Sequence, residues 1–231
     1  MKFLNEYRKI RNNYRVLNWI NRFIIWMRFK ITPLDRLIKL IPTQGRLLDL
    51  GCGFGVFSYF FAQRFPKLQI IGLDPSVNRI ELANNVFEQP ENLEFYQGEI
   101  NNLKEENFKA VLLNDVIYLF SKEELIEVFK KCHQKTSLDG VLVIKTMNRA
   151  RFFRYLFSIS TPWLINKIIS VFSTKKGLSR VFGFRKSNPV YYHPEAIENV
   201  LKQTGWTNIQ VYDLPAIIFP YPHIIYFCQK K

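Results

Sequence analysis

The sequence predicts an α/β protein with a doubly wound sheet of seven strands, mostly parallel, and helices on both of its faces. From Arg46 onward, short apolar runs alternate with helical patterns, which is typical of right-handed βαβ units. Two strand-like runs, at 208–212 and 224–228, close the chain with little between them. Strands that are joined by a short connection usually pair antiparallel. We therefore expect an antiparallel C-terminal strand at one edge of the sheet.

Five further strands are predicted from short runs of apolar and β-branched residues. They lie at 46–50, 69–73, 93–97, 110–115 and 141–146. Helices are predicted at 55–65, 77–87, 121–135 and 195–204. The third of these opens with Ser121 and Glu124, the spacing of a capping box, and the last stops at Gly205.

Composition restricts the class of protein. The chain has 231 residues, 48% of them hydrophobic and 21 of them Phe, which is enough for one α/β domain and excludes a disordered chain. The three cysteines form no CxxC pair, so neither a zinc cluster nor a redox dithiol is indicated, and no metal site is expected. Sparse cysteines and the lack of a signal-peptide pattern favour a cytoplasmic location.

Positive charge is concentrated in two regions. The net charge is +14, and residues 1–40 hold ten Lys/Arg against only Glu6 and Asp35. Residues 140–194 hold ten Lys/Arg and no acid, so the remainder of the chain is mildly acidic. This distribution indicates a surface that faces a partner rather than general solubility.

The N-terminal residues 1–41 are predicted to form basic amphipathic helices ahead of a single domain at 42–231. Apolar residues recur at helical spacing through Ile31, with Arg8, Arg11, Arg15 and Arg22 on another face. A break is expected near Thr32-Pro33, followed by a short helix to Ile41. The helices either pack on the domain with solvated arginines, cover a substrate, or lie on a membrane surface.

A glycine-rich loop at 47–55 (LLDLGCGFG) follows the first strand and opens a helix. Glycines there permit unusual dihedrals and close approach of a ligand, and the helix N-terminus offers free N–H groups. Val56 occupies the position where the dinucleotide fingerprint G-x-G-x-x-G/A requires Gly or Ala, which argues against an NAD site. Asp74 ends the second strand, where a carboxylate can accept hydrogen bonds from a ribose diol.

The motifs together resemble the class I S-adenosylmethionine-dependent methyltransferases, whose fold is Rossmann-like. The loop resembles their hhDhGCGxG motif, and the segments 96–100, 113–118 and 137–144 resemble their later motifs. Glu99 stands where the family usually has Asp, and Asp139 replaces a glycine. The resemblance implies that S-adenosylmethionine is the cofactor and that these residues bind it: Asp49, Gly51, Cys52, Gly53, Gly55, Asp74, Pro75, Glu99, Ile100, Asn114 and Asp115.

The methyl acceptor is less defined by the sequence. A sulfonium methyl is reactive already, so alignment and exclusion of water are the main requirements and a general base is optional. The candidate acceptor-side residues are Tyr118, His193 and His223, each with a plain packing or capping alternative.

An aromatic and basic insertion at about 149–192 is predicted to cover the acceptor pocket or to cap the sheet. We therefore expect an enzyme that methylates a small or lipid-like, hydrophobic or anionic acceptor. One alternative is a membrane-surface protein that uses the fold as a scaffold, peripheral at the inner face of an anionic membrane. A nucleic-acid methyltransferase is a weaker alternative, since no RNA-binding module or NPPY-like tetrapeptide occurs.

Overall fold

The computed structural model describes residues 4–17, 19–85, 88–148, 190–214 and 222–231. The predicted insertion at 149–192 lies almost wholly outside these residues. Three N-terminal helices come first: α1 (Leu4–Asn13), α2 (Trp19–Ile31) and α3 (Leu34–Leu40). The other helices of the described residues are α4 (Val56–Arg64), α5 (Val77–Asn84), α6 (Lys122–Lys135) and α7 (Pro194–Gln203).

One seven-stranded sheet organises the domain, in the order β3-β2-β1-β4-β5-β7-β6. Its strands are β1 (Gln44–Leu50), β2 (Lys67–Asp74), β3 (Leu93–Gln97), β4 (Phe108–Asn114), β5 (Thr136–Met147), β6 (Thr207–Leu214) and β7 (His223–Gln229). The pairs from β3 to β5 are parallel, and β7 is antiparallel to both β5 and β6. The predicted fold class is therefore confirmed, with the antiparallel strand inserted next to β5.

Both faces of the sheet are covered, as the near-continuous apolar sequences of its central strands require. Leu47 and its neighbour Leu48 on β1 are each fully buried but belong to different cores. The core on the Leu47 side is closed by α1 to α5, and the core on the Leu48 side by α6 and α7. Because the carboxyl ends of the parallel strands meet at one edge, the loops after β1, β2, β3 and β4 converge there.

The N-terminal helix prediction is wrong in one respect, since the chain already breaks before Thr32. A 3-10 turn at Tyr14–Val16 separates α1 from α2. The break lets two buried residues reach the domain: Asn13 donates from its amide to the Glu88 carbonyl at 3.1 Å, and the Tyr14 hydroxyl donates to the Phe54 carbonyl at 2.6 Å. These tertiary contacts override the helical spacing of the sequence.

The fifth strand also begins earlier than predicted, at Thr136 rather than at 141. Thr136 pairs with Phe108, and the ladder shifts register before Ala110. Asp139, at φ 56°, turns the chain inside this irregular stretch, and its N–H donates to the Lys230 carbonyl at 3.0 Å. Pairing from both sides thus extends the strand through the predicted turn.

Helix ends agree closely with the sequence. Ser121 and Glu124 form the predicted capping box of α6, and Gly205, at φ 91°, follows the end of α7. Within the described ranges, none of the helices has the length and apolarity needed to span a bilayer.

Candidate cofactor and acceptor site

The glycine loop is tied to the neighbouring strand by its backbone. The N–H groups of Gly51 and Cys52 both donate to the Leu73 carbonyl, at 2.7 and 3.2 Å. Gly55, at φ 72°, starts α4, and a Cβ there would lie 2.2 Å from Cζ of Phe95. No larger residue fits that position, so the glycine allows the helix to pack tightly against β3.

Gly53 differs from its neighbours because it faces open space. Among the described residues, a Cβ at this position would meet a single heavy atom within 4 Å, Nη1 of Arg28, at 4.0 Å. Gly98, after β3, is nearly as open, with Cδ1 of Leu73 at 3.8 Å. The two glycines therefore leave room for a ligand that lies directly on the backbone.

Two buried carboxylates flank this space. Asp49, near the end of β1, accepts a hydrogen bond from the Ser58 hydroxyl. Burial raises the pKa of Asp49 to about 6, although the Ser58 hydrogen bond opposes the rise, and the neighbouring Asp74 adds to it. A positive group entering the site would relieve this cost, because it would favour the ionised carboxylate.

Asp74 is fixed by the turn that follows β2. One carboxylate oxygen accepts from the Gly53 N–H at 3.0 Å and lies 3.5 Å from Nη1 of Arg79. The other accepts from the Ser76 N–H at 2.9 Å, across the intervening Pro75. The predicted ribose partner is thus held rigidly beside the glycine loop.

The residues after β3 are divided between surface and core. The Gly98 N–H donates to the Asp74 carbonyl at 3.1 Å, which brings this turn against the second strand. Glu99 is exposed at the turn, whereas Ile100 is 4% exposed and packs in the core. The Glu99 carboxylate is therefore accessible at this edge of the sheet, whereas Ile100 is not.

The end of β4 carries polar side chains that are buried. Asn114 is 7% exposed, and neither its amide nitrogen nor its amide oxygen has a hydrogen-bond partner among the described residues. Buried amide groups normally have partners, so an unpaired one at this edge indicates a ligand contact. Asn114 is one of the residues that the resemblance implies would bind the cofactor.

Asp115 continues this edge and pairs with a lysine that sequence reasoning missed. Lys145 on β5 is fully buried, and its ammonium donates to the Asp115 carboxylate. Burial lowers the pKa of Lys145 despite the opposing carboxylate. Burial alone would raise the pKa of Asp115, but the nearby positive groups, Lys145 foremost, lower it overall. The sequence feature that could have identified Lys145 is its position inside the apolar run VLVIKTM.

Arg28 of α2 is the second residue that the sequence did not single out. Besides its approach to Gly53, it hydrogen-bonds Tyr118, and its charge acts on Asp49 and Asp115. It thereby spans from the glycine loop to the end of β4. The sequence feature that could have singled out Arg28 is its position away from the helix face that carries Arg8, Arg11, Arg15 and Arg22.

The three predicted acceptor-side residues differ in their surroundings. Tyr118 lies next to Arg28, and its ring packs on Tyr191 at 5.6 Å between centroids. His223 is 3% exposed, and its ring lies beside the backbone of Ile31 at the end of α2. Burial, with the charge of Lys145, lowers the pKa of His223 to about 3, so the ring is neutral. His193 is exposed at the start of α7 and makes no side-chain capping bond.

The sheet order, the glycine loop after β1 and the acid that ends β2 together define a class I S-adenosylmethionine-dependent methyltransferase fold. The chain belongs to the methyltransferase domain family, whose sequence pattern matches residues 43–211. No group of three or more metal-ligating side chains was found in the described ranges.

Similarity to individual proteins agrees with this assignment. The chain is 25% identical over 118 residues to malonyl-[acyl-carrier protein] O-methyltransferase 1 of Ilyobacter polytropus, covering 51% of the chain and 44% of that protein. It is 24% identical over 203 residues to demethylmenaquinone methyltransferase of Thermotoga maritima, covering 86% of the chain and 85% of that protein. The structure of human N-acetylserotonin methyltransferase with S-adenosylmethionine superposes on the chain with a TM-score of 0.65 at 12% identity. The superposition covers 99% of the chain and 57% of that protein. The chain spans less than half of several relatives that it matches.

Proposed function

We propose that this protein transfers the methyl group of S-adenosylmethionine to a small acceptor. The observation that carries the proposal is the open backbone at Gly53, which lies close to Arg28 and to Asp74, with the buried Asp49 near both of these charges. A nucleoside with a zwitterionic tail needs this set of groups: a carboxylate for its diol, one for its ammonium, and a cation for its carboxylate. The family membership supports the same reading.

The residues at the site fit that cofactor in the following roles. Asp74 would accept from the ribose hydroxyls, Glu99 from the adenine amino group, and Asp49 would face the ammonium. The loop residues Gly51, Cys52, Gly53 and Gly55 would contact the cofactor through their backbone. Asn114 and Asp115 would border the methionine part, with Pro75 beside the ribose. When bound, the sulfonium supplies an electrophilic methyl group, and the protein aligns the acceptor and keeps water out.

The acceptor that we propose is hydrophobic or anionic, including lipid-like molecules. The proposal rests on the aromatic and basic composition of the insertion at 149–192. It also rests on Tyr118 and His223, which are both neutral because burial raises the pKa of the tyrosine and lowers that of the histidine. A histidine with a pKa of about 3 is a weak base, so His223 serves as a hydrogen-bonding group for the acceptor. Relatives named for malonyl-acyl-carrier protein, trans-aconitate and demethylmenaquinone fit this range.

Calorimetry with S-adenosylhomocysteine, the product form of the cofactor, tests the proposal directly. We expect one binding site per chain, together with transfer of labelled methyl from S-adenosylmethionine to a component of fractionated lysate. A folded protein that binds no cofactor at millimolar concentration contradicts the proposal. That result would favour the alternative in which the fold serves only as a scaffold, and label appearing solely in nucleic acid would overturn the proposed acceptor class.

Replacing Arg28 with glutamine is expected to weaken S-adenosylhomocysteine binding about tenfold or more, because one charge-assisted hydrogen bond to its carboxylate is lost. Binding of 5′-methylthioadenosine, which lacks the amino-carboxyl tail, should change less than about twofold. Both affinities are measured by calorimetry. The matched control is Arg22→Gln, an exposed arginine on the same helix. Equal losses for the two ligands would show that Arg28 acts on the fold of the loop rather than on the carboxylate.

A further inference from the structure

Helix α2 carries a stripe of aromatic and basic side chains along one side, most of them exposed. This stripe consists of Trp19, Arg22, Phe23, Trp26 and Lys30. On a helix that advances about 100° per residue, these five positions fall within an arc of about 100°. Arg28, which points to the glycine loop, lies about 180° from the centre of that arc.

The aromatic residues of the stripe are unusually exposed. The exposed fractions are 76% for Trp19, 51% for Phe23 and 36% for Trp26. The rings of Phe23 and Trp26 stack on each other at 5.7 Å rather than on the domain. In contrast, Ile25 and Phe29 of the same helix are 3% and 5% exposed and pack in the core. The helix is therefore anchored by Ile25 and Phe29 and offers an apolar surface along the adjacent arc.

The N-terminal segment that carries the stripe is strongly basic. Nζ of Lys30 lies 6.0 Å from the ring centroid of Trp26, and Arg22 is exposed within the stripe. Further exposed basic residues of the N-terminal segment are Arg8, Lys9, Arg11 and Arg15. Its acid through residue 31 is Glu6, whose carboxylate lies 3.5 Å from Nη1 of Arg64. A complementary partner must therefore be both apolar and negatively charged.

We propose that the stripe docks on the surface of an anionic lipid bilayer. Tryptophan rings favour the headgroup level, where an apolar body and a polar edge are both accommodated, and nearby Lys and Arg pair with anionic headgroups. The helix lies in the plane of the interface and does not cross it. Arg28 then faces the cofactor site from the opposite side of the docked helix. This inference does not depend on the proposed methyl transfer.

Co-sedimentation of the full chain with vesicles tests the docking. We expect binding to mixed phosphatidylcholine–phosphatidylglycerol vesicles that weakens as salt rises, and little binding to phosphatidylcholine alone. The double variant Trp19→Ala/Phe23→Ala should weaken binding at least about tenfold. Arg22→Gln should weaken it about fivefold, the loss expected for one surface charge.

Two variants elsewhere on the surface serve as matched controls. Leu138→Ala removes an apolar residue that is 71% exposed, and Lys122→Gln removes an exposed charge at the start of α6. Neither should alter vesicle binding, and thermal unfolding checks that every variant is folded. The proposal is overturned if the wild type does not bind anionic vesicles, if it binds neutral vesicles equally well, or if the Trp19/Phe23 variant binds as tightly as the wild type.

Discussion

Replacing Lys145 with methionine is expected to lower the free energy of unfolding by about 3 kcal/mol, because the Asp115 carboxylate would lose its buried counter-charge. The side chain of Lys145 is fully buried, while that of Asp115 keeps 16% exposure, which places the effect at the lower end for buried pairs. Urea unfolding at neutral pH measures the change. Methionine is chosen because it retains much of the volume of lysine and so limits loss of packing.

A second substitution separates charge from packing at this pair. Asparagine at position 115 tolerates the φ of 56° and carries no charge, so Lys145→Met/Asp115→Asn should recover more than half of the lost stability. A double variant as unstable as the single one would assign the effect to packing. The matched surface pair is Lys130–Glu127, at 3.2 Å with side chains 49% and 64% exposed. Lys130→Met should change stability by no more than about 0.5 kcal/mol.

Replacing Asp74 with alanine is expected to weaken S-adenosylhomocysteine binding about 100-fold or more, because two hydrogen bonds from the ribose to a charged acceptor would be lost. The Gly53 N–H donates a hydrogen bond to the Asp74 carboxylate at 3.0 Å and would lose this partner, so the loop itself would loosen. Calorimetry with S-adenosylhomocysteine and with 5′-methylthioadenosine measures the effect. Both ligands contain the ribose, so both should lose affinity, unlike the outcome expected for Arg28→Gln.

Two controls make this result interpretable. Arg79→Gln removes the cation 3.5 Å from Asp74 but leaves the carboxylate, and should change affinity by no more than about fivefold. Asp139→Asn changes an acid at the opposite end of the sheet, where asparagine tolerates the φ of 56°. If Asp74→Ala binds both ligands as the wild type does, the ribose does not lie against this carboxylate.

Much of the fold could be predicted because its signals are local. The capping box of α6, the stop at Gly205 and the alternation of apolar strands with helices are each written in a few adjacent residues. The N-terminal break could not be predicted, since it depends on Asn13 and Tyr14 reaching partners at Glu88 and Phe54. The same holds for the early start of β5, which depends on pairing with Phe108.

The sequence alone determined where the glycine loop lies and which acids end β1 and β2, because these features form a local pattern with a characteristic spacing along the chain. Only the tertiary structure decided which groups complete the site. Arg28 reaches the loop because α2 packs by Ile25 and Phe29, and Lys145 meets Asp115 because β4 and β5 are neighbours in the sheet. Such contacts join residues that are remote in sequence, and they arise from packing and strand register rather than from local pattern.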